Sequence, residues 1–262
     1  VKVFDGRTGV QQFAQSFFDS NFRGGGYVAT GDVDGDDQVE LIVGAGDGGG
    51  PVVSVVDFNS PLFFTPVFGF VPTGQTDFFA YEPQLRSGVR VATGDVLPTA
   101  VGDINDTDEI ITAPGAGGGP RVKVFDFGEV TDDLAVNVTA DPETDFFVSE
   151  GTNRAGLFVT AGDFDGNGTD EIAVSPAGNL PSQVRVFSGA GGLLQTLDLP
   201  PDTIPPSGVS GPTAVGLVGG GGFLLPPAQA PNALEATSYQ EAASQGLFVA
   251  GVSFPGSSRG GV

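Results

Sequence analysis

Short apolar runs, each closed by a cluster of Gly, Asp, Asn or Pro, recur along most of the chain, and three of them share one pattern. Val28 to Val43 reads VATGDVDGDDQVELIV, Val159 to Val174 reads VTAGDFDGNGTDEIAV, and Val91 to Ile111 reads VATGD, an interruption, then DINDTDEII. In each, an apolar run empties into an acidic loop and a second apolar run leaves it: LIVGAG from Leu41, IITAPG from Ile110 and IAVSPAG from Ile172. An alternating run follows, PVVSVVDF from Pro51, PRVKVFDF from Pro120 and SQVRVFSG from Ser182, and the opening VKVFDGRTG repeats that last element alone. Alternation, β-branched residues and turn-forming boundaries predict strands rather than helices.

The repeats hold at fixed offsets. Nine residues before Asp32, Asp95 and Asp163 stand Arg23, Arg86 and Arg154, and seven before stand Gly25, Gly88 and Gly156. An aromatic pair precedes each unit: Phe17-Phe18, Phe78-Phe79 and Phe146-Phe147. Four short strands per unit, at a period of 63 and then 68 residues, describe an all-β chain of antiparallel propeller blades, forming a β-propeller or an arc of one. A blade cannot bury both faces alone, so the Phe and Val positions are expected to pack unit on unit. The expected boundaries are 1–22 for the end of a preceding blade, then 23–85, 86–153 and 154–199.

Beyond Leu199 the pattern decays into a Pro- and Gly-rich segment, 200–262, expected to be a degenerate blade or a docking arm. Asn232 to Ser244 is its helical candidate, and GLFVAGVSF from Gly246 resembles the strand GLFVTAGDF from Gly156. The chain starts at Val1 inside a strand-like run, so it is expected to be a mature or trimmed piece of something longer.

Charge adds a partner class. Ten basic against 32 acidic residues leave a net charge of −22, which repels nucleic acid and anionic membranes and favours cations. No apolar run is long enough to span a membrane. With no Cys and no His, and only Lys2 and Lys123 as lysines, most nucleophile and general-base arrangements are missing, and no enzyme activity is expected.

The acidic loops carry the candidate chemistry. Positions 1, 3, 5 and 9 are Asp32, Asp34, Asp36 and Glu40 in the first loop, and Asp163, Asp165, Asn167 and Glu171 in the third. Alternation by two turns hard oxygen donors to one side of a tight loop, with Gly35 or Gly166 permitting the backbone curl, and the carbonyl of Gln38 or Thr169 is the expected main-chain ligand. A cation taking six to eight oxygens at about 2.3 to 2.6 Å fits such a cage. An EF-hand would need Glu at position 12, where Val43 and Val174 stand, and flanking helices.

These stretches resemble the FG-GAP repeats of the integrin α-subunit propeller and of many bacterial surface proteins. The resemblance covers roughly residues 1 to 199 and implies a β-propeller with calcium in each inter-strand loop. In the middle unit, Leu97 to Gly102 separate Asp95 from Asp103, Asn105, Thr107 and Glu109, which resume the spacing. Either the insertion loops out and leaves that cage intact, or Asp95 drops away.

Other matches are weaker. GAGDGG from Gly44 fits a dinucleotide fingerprint but runs into Pro51 and a strand, where a pyrophosphate needs a helix N-terminus. The repeated arginines read as ties between one unit and the next, through carboxylates or carbonyls, rather than as an anion site. The expected role is a structural or adhesive module of an extracellular, cell-surface or periplasmic protein, with a protein or glycan partner on the propeller face. The competing readings are a carbohydrate-binding or glycan-hydrolysing propeller, and a permanent subunit of a larger assembly.

Overall fold

The computed structural model describes residues 1–58, 74–97, 107–127, 142–152, 154–177 and 183–198. Asp103, Asn105 and the whole segment 200–262, including the helical candidate, lie outside the described residues.

The described elements are fourteen strands. β1 (Lys2–Phe4) and β2 (Gln11–Ala14) form a hairpin. β3 (Gly26–Gly31), β4 (Glu40–Ala45), β5 (Val52–Asp57) and β6 (Gly74–Phe79) form one four-stranded antiparallel sheet in chain order. β7 (Val89–Gly94), β8 (Glu109–Pro114), β9 (Arg121–Phe125) and β10 (Thr144–Phe147) form a second. β11 (Leu157–Gly162), β12 (Glu171–Pro176), β13 (Gln183–Phe187) and β14 (Leu193–Asp198) form a third. The expected all-β class and the four-strand unit are therefore observed.

The sheets stack because their central strands are apolar on both faces. Successive side chains of a strand point to opposite sides. Thus Leu41 and Val43 face a cluster with Phe13 of the hairpin, whereas Ile42 faces Val91 and Ile110 of the second sheet. In the second sheet Ile110 faces the first, and its neighbour Ile111 faces Ile172 and Val174 of the third. Ile42, Ile110, Ile111 and Ile172 are each fully buried at 0% exposure, so losing any one side chain would cost about 2 to 5 kcal/mol. Ala173, Val184 and Val186 form a separate cluster on the far face of the third sheet.

The first strands of the three sheets lie side by side, β3 against β7 and β7 against β11. Small residues allow the approach: a Cβ on Gly94 would lie 2.8 Å from that of Ala161 and 2.5 Å from Asp170 Oδ2. Thr93 Oγ1 donates to the Thr30 carbonyl at 2.7 Å across the first of these seams. Arg90, in β7 and only 6% exposed, bridges both. Its guanidinium lies 4.0 Å from the ring centroid of Phe158 on β11 and 5.4 Å from that of Tyr27 on β3, and it donates to the Leu157 carbonyl.

The aromatic pairs are core in part. Phe78 is buried edge-on to Phe125, and Phe146 packs against Phe187, but Phe147 is 61% exposed. The repeated arginines close their own turns. Arg23 Nη1 donates to the carbonyls of Ser20 and Phe22, Arg86 Nη1 to those of Pro83 and Leu85, and Arg154 Nη1 to that of Gly151. Backbone also joins neighbouring units here, with Gly88 N–H donating to Gly49 O at 3.1 Å and Gly117 N–H to Arg154 O at 2.8 Å.

Candidate metal centre

The first acidic loop leaves β3 at Gly31 and enters β4 at Glu40, two residues that face each other in the ladder. The third does the same between Gly162 and Glu171. Each loop is therefore a tight connection whose ninth residue is already fixed as the first of a buried strand.

Position 1 organises the curl. Asp32 Oδ1 accepts from Gly35 N–H at 2.8 Å and Asp36 N–H at 3.2 Å, and Oδ2 from Asp37 N–H at 2.8 Å. Asp163 repeats this with Gly166, Asn167 and Gly168 at 2.6, 3.0 and 3.1 Å. Gly35 and Gly166 have φ of 78° and 81°, a conformation that a side chain disfavours, which is why glycine stands there. Asp37, at φ 65°, takes the same hand where the third loop has Gly168.

Position 9 closes the cage. Glu40 Oε2 accepts from Val33 N–H at 2.9 Å, Glu171 Oε2 from Phe164 N–H at 2.9 Å, and Glu109 Oε2 from Val96 N–H at 2.8 Å and Leu97 N–H at 3.1 Å. The second sheet thus keeps the anchor at both ends of its longer loop, with Thr107 half-buried just before it. Among the described residues, two groups of carboxylates have ligand atoms within 4.8 Å of one another: Asp32, Asp34 and Glu40, and Asp163, Asp165 and Glu171.

Position 5 accepts from the loop backbone, as positions 1 and 3 do. Asp36 Oδ1 accepts from Gln38 N–H and Asn167 Oδ1 from Thr169 N–H, both at 2.8 Å, so these side chains cap the second half of the loop. Gln38 also donates from its amide to Asp36 Oδ2 at 3.4 Å. The structure therefore brings together positions 1, 3 and 9 and holds position 5 beside them.

The carboxylates strain against each other. Burial pushes the Glu40 carboxyl up to about 7, with Asp34 and Asp32 adding to the rise and the Val33 N–H opposing it. Burial likewise raises Glu109 to about 7 and, with Asp108 and Asp163, raises Asp170 to about 6. Asp34 and Glu171 are displaced upward too, burial first. The arrangement leaves one acceptor unused: Glu40 is 1% exposed and its Oε1 has no hydrogen-bond partner. A buried acceptor left unmade costs about 1 to 3 kcal/mol, more when charged. A cation among Asp32, Asp34 and Glu40 would satisfy that atom and neutralise the repulsion, so the residues present fit a metal ion with an all-oxygen shell.

The loops are also linked to each other. Asp108 N–H donates to the Asp32 carbonyl at 2.8 Å and Asp170 N–H to the Asp95 carbonyl at 2.7 Å. Position 8 of the second and third loops thus rests on position 1 of the loop before, a connection that the sequence pattern does not reveal.

Among known proteins, no family model matches the chain and no curated protein matches it.

Proposed function

We propose that the chain is a calcium-stabilised β-propeller, or an arc of one, of the FG-GAP kind, serving as a structural or adhesive module of an extracellular or surface-associated protein. Stacked four-stranded sheets with their first strands side by side support the propeller geometry. The observation that carries the metal is the buried, unpartnered Oε1 of Glu40 within a carboxylate group less than 4.8 Å across. Calcium suits it better than magnesium. The donors are oxygens on a curled, asymmetric loop, and calcium accepts six to eight of these in variable geometry, whereas magnesium holds out for an octahedron.

In this reading the ion is a scaffold. The carboxylates bind it, the Asp32 and Asp163 curls orient them, and β4 and β12 keep Glu40 and Glu171 dry. Calcium at about a hundred times its Kd would stabilise the fold by about 2.7 kcal/mol per site. Thermal unfolding in calcium and in chelator tests this. The melting temperature should fall by several degrees on chelation and recover when calcium is restored, whereas superimposable melts would overturn the proposal.

A further inference from the structure

We propose that Asp57, at the end of the third strand of the first sheet, is an outer acid of the first cation site that makes it bind more tightly. Its counterpart Ser188 denies the third-loop site that charge. The proposal rests on the reading of both loops as cation sites.

The juxtaposition follows from register. Leu41 pairs with Val56, and β4 begins one residue before Leu41 while β5 ends one residue after Val56. Glu40 and Asp57 therefore stand opposite each other at the strand ends, on one face. Residues so placed hold their Cβ atoms about 5 Å apart. The second sheet repeats the placement: Ile110 pairs with Phe125, which sets Glu109 opposite Asp126. In the third, Ile172 pairs with Phe187, and Glu171 meets Ser188. That serine serves its own turn, its Oγ accepting from Gly192 N–H at 3.1 Å and its N–H donating to Gly192 O at 2.9 Å.

That spacing brings the Asp57 carboxylate to the edge of the cage that Glu40 closes. Because Glu40 Oε1 is already buried and unpartnered, a further negative charge beside it makes the vacant cage costlier and the filled one more favourable. The first loop carries five acids (Asp32, Asp34, Asp36, Asp37, Glu40) and the third four (Asp163, Asp165, Asp170, Glu171), so Asp57 widens an existing difference. Charge count is one of the levers, with site rigidity, by which such loops set calcium affinity.

Calorimetric calcium titrations of site-isolated proteins test the inference: Asp95→Ala with Asp163→Ala leaves the first site, and Asp95→Ala with Asp32→Ala the third. In the first background, Asp57→Asn should raise the calcium Kd roughly tenfold, the effect of one charge near a divalent ion in a partly screened setting, and Asp57→Glu should restore it. In the second background, Asp57→Asn should leave the Kd unchanged and Ser188→Asp should lower it by a similar factor. An unchanged first-site Kd in Asp57→Asn, or a Ser188→Asp protein that gains nothing, overturns the assignment of Asp57 while leaving the cation sites standing. If neither isolated site binds calcium, the cation reading itself fails and takes the inference with it.

Discussion

Replacing Glu40 by Gln separates the cost of a buried carboxylate from the benefit of its ion. Burial raises the Glu40 carboxyl from 4.5 to about 7, and at about 1.4 kcal/mol per tenfold the ionised form costs about 3 kcal/mol in the metal-free fold at pH 8. The group's folded-state value lies above its unfolded one. Its relative stabilisation is therefore complete below pH 4.5 and lost as pH rises through 7. The amide in Glu40→Gln keeps an acceptor for Val33 N–H and removes the charge, but leaves a buried N–H₂ costing about 1 to 2 kcal/mol. Without calcium at pH 8 the variant should be more stable than the wild type by about 1 to 2 kcal/mol, or a few degrees in a thermal melt. In millimolar calcium the order should reverse, because the first site has lost its ninth-position ligand. At pH 5 in chelator the advantage should vanish, since the wild-type carboxyl is then protonated. A variant equally destabilised with and without calcium would refute the reasoning, for it would make Glu40 a packing residue and nothing more.

Stability of the metal-free wild type should fall between pH 5 and pH 8 as Glu40 and Glu109, both raised to about 7, ionise, and calcium should flatten or reverse that slope. Denaturant melts across the range would show it, and a slope indifferent to calcium would count against the linkage. Arg90→Ala should cost about 2 to 3 kcal/mol, because a desolvated guanidinium between Phe158 and Tyr27 is lost together with its bond to Leu157 O. A change under about 0.5 kcal/mol in urea unfolding would deny it that bridging part. Gly94→Ala should cost about 1 to 3 kcal/mol, since its methyl would sit 2.8 Å from Ala161 Cβ and β7 would be forced off β11. An unaltered melt would show that the seam is looser than described.

Much of the strand layout and the acidic loops was legible because both obey short-range rules. Period-two alternation set the strands and the oxygen donors of the loops alike, and Gly35 and Gly166 marked where the backbone had to curl. Chemistry between units was the least visible. Tyr27, Arg90 and Phe158 occupy one column of the repeat, 63 and 68 residues apart, but nothing in a single unit says that a guanidinium will be clasped between the rings of its two neighbours. Asp57 and Asp126 likewise recur at the end of VVSVVD and RVKVFD, and only the pairing of Leu41 with Val56 and of Ile110 with Phe125 turns them toward the loops. The arginines were legible from their strict repeat, since Arg23 and Arg86 each donate to carbonyls just across the expected unit boundary.

Everything rests on an ion among Asp32, Asp34 and Glu40. A crystal structure determined from calcium-containing solution, with anomalous data to identify the ion, puts that to the test. The expected result is a calcium peak bound by Asp32, Asp34 and Glu40 Oε1 at about 2.3 to 2.6 Å. A cage filled by water, or a Glu40 Oε1 satisfied by a protein donor under those conditions, would contradict it.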